Sequence, residues 1–182
     1  MQALWFDIPE KILEERRQLG HDKKDELWDG VLHMVPPPTW RHQRLSVDLM
    51  FAIRPAADRA GLQVWGDGSG IYGPGENWRI PDLTLARPEH LAEETGLHGA
   101  ELIVEVLSPN DESRQKLPFY ASIGVREVWL VTPQSRVVEM FLLEGDHYVT
   151  SGDGISAVLG VTLQTIRGPK LRLIDGDSIT DV

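Results

Sequence analysis

The sequence of 182 residues contains no cysteine. This excludes disulfides, thiol catalysis and zinc sites built on cysteine, so histidine, aspartate and glutamate are the side chains left to bind a metal, which favours a hard cation. No apolar run approaches the roughly 18 to 20 residues that a membrane span requires, and residues 1–20 carry charges where a signal peptide has an apolar centre. We therefore expect a cytoplasmic protein with no membrane partner.

Positive charge is also scarce. Lysine and arginine together number 18 against 28 for aspartate and glutamate, which gives a net charge of −10. That sign opposes unaided electrostatic capture of long nucleic acid, so a nucleic-acid partner would need a local basic patch. Such a patch could form from Arg41, Arg44, Arg114, Lys116 and Arg126, together with the aromatic side chain of Trp40.

What is present is an ordinary globular composition, with 41% hydrophobic and 25% charged residues. The length suits one domain, residues 1–182, and no linker or fixed repeat divides it. Three helices are predicted. They cover residues 7–20, capped by Asp7; residues 39–60, which Pro55 should kink or shorten; and residues 111–123, capped by Asn110 or Asp111 and with Pro118 as an awkward interior residue.

A turn that enters a strand is predicted at residues 28–35, and further strands are predicted in a meander over 62–85 and at 101–107, 125–131 and 137–143. The segment 101–107 is almost continuously apolar, as a buried central strand should be, and Glu105 interrupts it with a charge. Strand, helix and strand over residues 101–131 form a βαβ crossover, and the meanders on either side make the sheet mixed. The predicted fold class is α/β with a mixed central β-sheet flanked by helices.

Two carboxylates are the first indication of chemistry. Asp82 follows Pro81 near one strand, and Glu105 lies 23 residues later within the central strand. Burying an unpaired carboxylate is costly or forces it to be protonated, so a second charge must lie nearby, and a shared divalent cation would supply it. The alternative is structural, with Asp82 as a turn residue after proline and Glu105 paired with an arginine.

A series of landmarks in a fixed order adds to this pattern. They are Asp29-Gly30, Met34, the proline-rich turn with Arg41-His42-Gln43, Pro81-Asp82, residues 105–109, Lys116, Tyr120 and residues 124–129. On these residues the chain resembles the Uma2, or DUF820, group of restriction-endonuclease-like proteins within the PD-(D/E)XK nuclease superfamily. The resemblance covers roughly residues 25–140.

The resemblance implies a restriction-endonuclease-like fold and a Mg²⁺- or Mn²⁺-dependent endonuclease, which hydrolyses nucleic-acid phosphodiester bonds with a metal-activated water. It makes Asp82 and Glu105 catalytic metal ligands, joined by the backbone carbonyl of Val106. The superfamily lysine normally lies two residues after the glutamate, where this chain has Leu107. In the Uma2-like group the lysine has moved to the following helix, so Lys116 becomes the third catalytic residue. Without the resemblance, Lys116 would be interpreted as a solvated helix lysine.

The resemblance adds candidates around this site. Glu26 matches an N-terminal acidic position and would be an additional metal ligand; the alternative is an ordinary exposed glutamate. His42 would contact phosphate or lie in the outer shell of the metal; the alternative is a capping or packing residue. Arg41 and Arg114 would contact nucleic acid, for which we expect DNA.

Other interpretations stay open. The chain could be a catalytically inactive nuclease-fold module that binds nucleic acid or protein, as its acidic net charge and displaced lysine suggest. Asp82 and Glu105 pointing apart, or tied to arginine, would favour that module. Hydrolysis of a different phosphate ester would use the same site. We also expect a homodimer, because the apolar hairpin 137–143, Trp5 and Trp129 would form either core or interface.

Overall fold

The computed structural model describes residues 4–5, 9–66, 68–75, 77–92, 96–109 and 112–182. Within them the chain forms the α-helices α1 (Glu10–Leu19), α2 (Trp40–Arg59) and α3 (Leu117–Ser122). The helix end predicted at Gly20 is confirmed, because Gly20 adopts a left-handed conformation with φ of 66° directly after α1. The predicted caps Asp7, Asn110 and Asp111 lie outside the described residues. None of the described helices is both long and apolar enough to cross a membrane.

The described residues form three β-sheets. Their strands are β1 (Leu4–Trp5), β2 (Glu26–Trp28), β3 (Val31–His33), β4 (Gln63–Gly66), β5 (Ile71–Tyr72), β6 (Trp78–Arg79), β7 (Leu83–Ala86), β8 (Leu102–Val106), β9 (Glu127–Val131), β10 (Val138–Glu144), β11 (His147–Ser151), β12 (Thr162–Ile166), β13 (Lys170–Asp175) and β14 (Ser178–Asp181). The strand orders are β11-β10-β9-β8-β7-β4, β1-β3-β2-β6-β5 and β12-β13-β14.

The six-stranded sheet is mixed, as predicted. β8 and β9 run parallel and are joined by the crossover that contains α3, whereas the other neighbouring pairs of this sheet are antiparallel. Every side chain of β8 and β9 is buried, which explains the continuous apolar run in the sequence. Glu105 therefore lies in the middle of the sheet, opposite Leu130 of β9.

The meander predicted over residues 62–85 is wrong. β4 and β7 pair with each other in the six-stranded sheet, while the hairpin of β5 and β6 between them belongs to the five-stranded sheet. β6 also pairs with β2, where Leu27 lies opposite Trp78. This excursion brings β2, and with it Glu26, beside the segment that leads into β7.

Apolar cores cover both faces of the six-stranded sheet. α2 packs on one face through Leu45, Leu49 and Ile53, which recur at helical spacing, and the three-stranded sheet completes that core. α3 packs on the other face, where Tyr120 is fully buried. Trp129 is fully buried in the first core and so is not an interface residue.

Two helix predictions need correction. Pro55 does not shorten α2, which continues to Arg59; Phe51 and Pro55 lie on the exposed side of the helix, where water can replace the hydrogen bond that proline cannot donate. The segment 111–123 is not one helix, because a 3-10 turn over Ser113–Lys116 precedes α3. Pro118 consequently falls in the first turn of α3, where proline is tolerated.

Candidate active site

A cleft of about 430 Å³ opens where β8 ends and β7 begins. Three prolines, residues 36–38, form part of its wall. The ionisable side chains on the described lining are Lys24, Glu26, His42, Asp82, Glu105, Glu112 and Lys116. The fold thus gathers acidic and basic groups from segments that are far apart in the sequence.

Asp82 lies directly before β7 and is held from two sides. Its Oδ2 accepts a hydrogen bond from the Val106 backbone N–H at 2.7 Å and lies 3.2 Å from Nε2 of His42. His42 is in the first turn of α2, which is capped by the Thr39 hydroxyl. Burial lowers the pKa of His42, but the hydrogen bond and charge of Asp82, with the Val106 backbone, outweigh it and raise that pKa overall. Asp82 therefore stabilises the protonated form of His42 at the edge of the cleft.

Glu105 is buried within β8 and reaches the cleft. Its Oε1 accepts hydrogen bonds from Nζ of Lys116 at 3.0 Å and from the hydroxyl of Tyr120 at 2.5 Å. Burial raises the pKa of Glu105 to about 8; the Lys116 charge opposes this rise, and the Asp82 charge adds to it. Among the described residues Oε2 of Glu105 has no hydrogen-bond partner. This oxygen is therefore available to a ligand in the cleft.

Lys116, the last residue of the 3-10 turn, bridges two carboxylates. Its Nζ donates to Oε1 of Glu26 at 2.8 Å and to Oε1 of Glu105 at 3.0 Å. Burial lowers the pKa of Lys116, but the charges and hydrogen bonds of these carboxylates outweigh it and raise that pKa overall. The side chain is buried and stays protonated, so it acts as a fixed cation and not as a proton acceptor.

Glu26, in β2, uses both of its carboxylate oxygens. Oε1 accepts from the Ile80 backbone N–H at 2.8 Å and from Lys116, while Oε2 accepts from the Trp28 indole N–H at 2.8 Å. Glu26 is almost completely buried. The interpretation of Glu26 as an ordinary exposed glutamate is therefore wrong.

The donor set at the end of β8 fits a hard divalent cation. Asp82 and Glu105 each keep one oxygen outside the hydrogen bonds of the described residues, and the backbone of Val106 lies beside them. Among all the described residues, no group of three or more His, Asp or Glu side chains could hold a metal ion, so a bound cation would also need carbonyl and water oxygens. Such oxygen sets are typical of Mg²⁺ and Mn²⁺. Where the structure describes the chain, neither carboxylate is hydrogen-bonded to arginine.

Arg41 and Arg114 do not lie on the described cleft lining. The Arg41 guanidinium lies 4.7 Å from the centre of the Trp40 ring, and Arg114 forms an exposed ion pair with Glu139. Lys24 lines the cleft instead, close enough to His42 for its charge to oppose His42 protonation. The basic side chains on the described lining of the cleft are thus Lys24, His42 and Lys116.

No role at the site was predicted for two buried residues near it, although Tyr120 is one of the landmarks of the resemblance. Tyr120 lies four residues after Lys116, a spacing that places side chains on one side of a helix and could have indicated it. Arg79 is buried between aromatic rings, with its guanidinium 4.5 Å from the Trp28 ring centre and 4.2 Å from that of Phe119. The sequence around Arg79 does not indicate this packing, because Trp28 and Phe119 come from distant segments of the chain.

Comparisons with known proteins agree with this architecture. The model of the Uma2 family, described as "Putative restriction endonuclease", matches residues 12–163. Among solved structures, the chain is similar to a putative nuclease belonging to DUF820 from Anabaena variabilis, with a TM-score of 0.60 and 14% identity over 79% of this chain and 87% of that chain. This similarity shows the restriction-endonuclease-like fold. A search of curated proteins finds no match. Because the family model matches most of its length, the chain belongs to the Uma2 family.

Proposed function

We propose that this protein is a Mg²⁺- or Mn²⁺-dependent endonuclease that hydrolyses phosphodiester bonds in nucleic acid, with DNA as the expected substrate. The observation that carries the proposal is the convergence of Asp82, Glu105 and Lys116 on one cleft from three segments of the chain. Two carboxylates and a protonated amine are groups that such hydrolysis uses, and membership of the Uma2 family supports the same chemistry.

In this proposal Asp82 and Glu105 hold the cation, together with the backbone carbonyl of Val106. When bound, such a cation lowers the pKa of a coordinated water and offsets charge on the phosphate. The Val106 N–H restrains Asp82, and the Tyr120 hydroxyl restrains Glu105. Because both carboxylates are already oriented by these bonds, little side-chain freedom is lost when a ligand enters the cleft.

Lys116 provides a positive charge and does not act as a base. Its ammonium is buried between Glu26 and Glu105 and has a raised pKa, so it remains protonated at neutral pH. A cation fixed in a water-poor wall stabilises negative charge that develops on a phosphate more strongly than a solvated lysine would. We assign it the stabilisation of the charged transition state and the orientation of the attacking water.

His42 and Lys24 extend the positive charge along the cleft. Both line it, and the pKa of His42 is raised because the attraction of Asp82 exceeds the effect of burial. We assign them contacts to phosphate groups beside the reacting bond. With a net charge of −10, the protein depends on such local cations to bind nucleic acid, so binding should weaken steeply with salt.

Calorimetric titration of Mn²⁺ tests the metal site without a choice of substrate. We expect binding by the wild type and its loss in Asp82→Asn and Glu105→Gln. The fold of Glu105→Gln should persist, because the glutamine oxygen can still accept from Lys116 and Tyr120. Asp146→Asn is the matched control, since it removes a carboxylate from a fully exposed turn and should bind Mn²⁺ like the wild type.

Hydrolysis of supercoiled plasmid DNA with Mn²⁺ tests the reaction in the same variants. We expect cleavage by the wild type and by Asp146→Asn, and none by Glu105→Gln. Cleavage at the wild-type rate by Glu105→Gln would contradict the assignment. Wild-type protein that neither binds Mn²⁺ nor cleaves DNA would favour the inactive nuclease-fold module.

A homodimer is part of the proposal. On α2, Trp40 is 69% exposed and Phe51 is 71% exposed, the highest values among the exposed large hydrophobic residues of the described chain. They are eleven residues apart, which is close to three helical turns, so they lie on the same side of α2. An exposed apolar helix face of this kind supports association of two copies.

A further inference from the structure

The Lys116 bridge has two unequal ends. At one end, Glu105 gives a single oxygen to Lys116 and Tyr120, and its other oxygen has no hydrogen-bond partner in the described part of the chain. At the other end, both oxygens of Glu26 accept hydrogen bonds, one of them from Lys116 at 2.8 Å. Of the two carboxylates joined by Lys116, only Glu105 has an oxygen outside the hydrogen bonds of the described residues.

Donors outside the bridge fix Glu26 in place. The Ile80 backbone N–H and the Trp28 indole N–H bind different oxygens of its carboxylate, each at 2.8 Å. The Trp28 ring is itself restrained, because it stacks on His33 with ring centres 3.9 Å apart and lies 4.5 Å from the Arg79 guanidinium. Glu26 therefore has a carboxylate orientation that Lys116 alone does not determine.

A cation on Oε2 of Glu105 would draw on the same negative charge that attracts Lys116 to Oε1, and so would weaken that contact. The charge of the cation would also repel the Lys116 ammonium, which lies 3.0 Å from Glu105 Oε1. The contact with Glu26 does not share this competition, because each oxygen of Glu26 already accepts at least one hydrogen bond from the protein, whereas Oε2 of Glu105 accepts none from the described residues. A lysine retained by Glu26 stays at the cleft wall when its contact with Glu105 weakens.

We infer that Glu26 is a positioning residue, which holds the Lys116 ammonium in the cleft while a divalent cation occupies Glu105, and that Glu26 does not bind this cation itself. The inference rests on the proposed nuclease function and replaces the metal-ligand role that the resemblance implies for Glu26. Because both oxygens of Glu26 accept hydrogen bonds from the protein, we assign it the positioning of Lys116.

The test compares Glu26→Gln, Glu26→Asp and Glu105→Gln by three measurements. The first is calorimetric titration of Mn²⁺. The second is hydrolysis of supercoiled plasmid DNA. The third is acylation of Lys116 by an amine reagent, followed by mass spectrometry of its peptide, which reports how firmly the ammonium is held whether or not the protein is active.

Unlike Glu105, Glu26 accepts hydrogen bonds at both oxygens, so the amide of Glu26→Gln is neutral and must also turn its NH2 group towards a donor, which weakens its hold on Lys116. We expect Glu26→Gln to bind Mn²⁺ with wild-type affinity and to lose ~100-fold in hydrolysis rate, because a misplaced group has an effect of that order. We also expect faster acylation of Lys116 in this variant. Glu26→Asp keeps the charge with a shorter reach, so its values should fall between those of the wild type and Glu26→Gln. If Glu26→Gln does not fold, Glu26→Asp against the wild type provides the same comparison.

Two results would overturn the inference. Loss of Mn²⁺ binding in Glu26→Gln, to the extent seen in Glu105→Gln, would make Glu26 a metal ligand. Acylation of Lys116 at the wild-type rate in the Glu26 variants would show that Glu26 does not hold the lysine. If the wild type neither binds Mn²⁺ nor cleaves DNA, the proposed function fails, and the acylation rates alone then decide whether Glu26 holds Lys116.

Discussion

Replacing Tyr120 with phenylalanine would isolate one hydrogen bond to a candidate metal ligand. The Tyr120 hydroxyl is fully buried and donates to Oε1 of Glu105 at 2.5 Å. The ring also packs edge-to-face on Phe119 with centres 5.7 Å apart, and phenylalanine would keep that contact. Tyr120→Phe therefore removes the hydroxyl without opening a large cavity in the core.

Tyr120→Phe should lower both the stability of the protein and its affinity for Mn²⁺. A hydrogen bond to a charged group contributes about 1.5–3 kcal/mol to stability, and one between neutral groups about 0.5–1.5 kcal/mol. We expect about 1.5 kcal/mol, where the two ranges meet, because burial raises the pKa of Glu105 to about 8 and so favours its neutral form near pH 7. Lys116 also continues to donate to the same Glu105 oxygen. Loss of a residue that orients a metal ligand lowers metal affinity ~10–100-fold, and for the same reason we expect Mn²⁺ affinity to fall ~10-fold in Tyr120→Phe.

Tyr148→Phe is the matched control. Its hydroxyl donates to the Val125 carbonyl at 2.6 Å, and Tyr148 does not line the described cleft. Removing this neutral hydrogen bond should lower stability by about 0.5–1.5 kcal/mol and leave Mn²⁺ affinity unchanged. Urea unfolding and calorimetric titration of both variants provide the measurements. Equal Mn²⁺ affinities in Tyr120→Phe and Tyr148→Phe would refute the orienting role of Tyr120.

Two further predictions concern stability and association. Burial raises the pKa of Glu127 above 4.5 although Trp129 and other donors bind it, so the folded state holds the proton more tightly than the unfolded chain does. The free energy of unfolding of the wild type should therefore fall relative to that of Glu127→Gln as pH rises from acid to neutral. Urea unfolding of both proteins across this pH range measures the difference. A difference that stays constant with pH would contradict the prediction. Phe51→Asp should shift a dimer to monomer in sedimentation velocity, and an unchanged mass would exclude the exposed face of α2 as the interface.

The sequence predicts the centre of the fold well because that information is local. The apolar run that becomes β8 and the crossover to β9 both follow from hydrophobic pattern within about thirty residues. The strands β5 and β6 have two residues each, and their pattern does not say which partner they pair with. Their pairing depends on β2, which lies some fifty residues earlier in the chain. The sheet to which they belong was therefore not predictable from local pattern.

The candidate site also has residues that the sequence indicates and contacts that it does not. Asp82 and Glu105 stand out because a charge beside or within an apolar strand needs a partner, and the structure supplies His42 for the first and Lys116 for the second. The contact of Lys116 with Glu26 spans 90 residues, so no spacing rule indicates it. The partners of a buried charge come from the tertiary fold, and only the requirement for one is visible in the sequence.

The geometry of β8 shows how Lys116 differs from a lysine at position 107. Residues two apart point to the same face of a strand, so a lysine at position 107 would stand next to Glu105 with its direction set by the strand itself. Here Leu107 packs against the core on the α3 side of the sheet. Lys116 instead reaches Glu105 from the 3-10 turn before α3, at the end of a long side chain with many rotamers. A lysine placed in this way needs a second restraint to hold its ammonium, and Glu26 provides one from β2. In the arrangement that we infer, Lys116 lies outside β8 and the acidic residue at position 26 holds its ammonium.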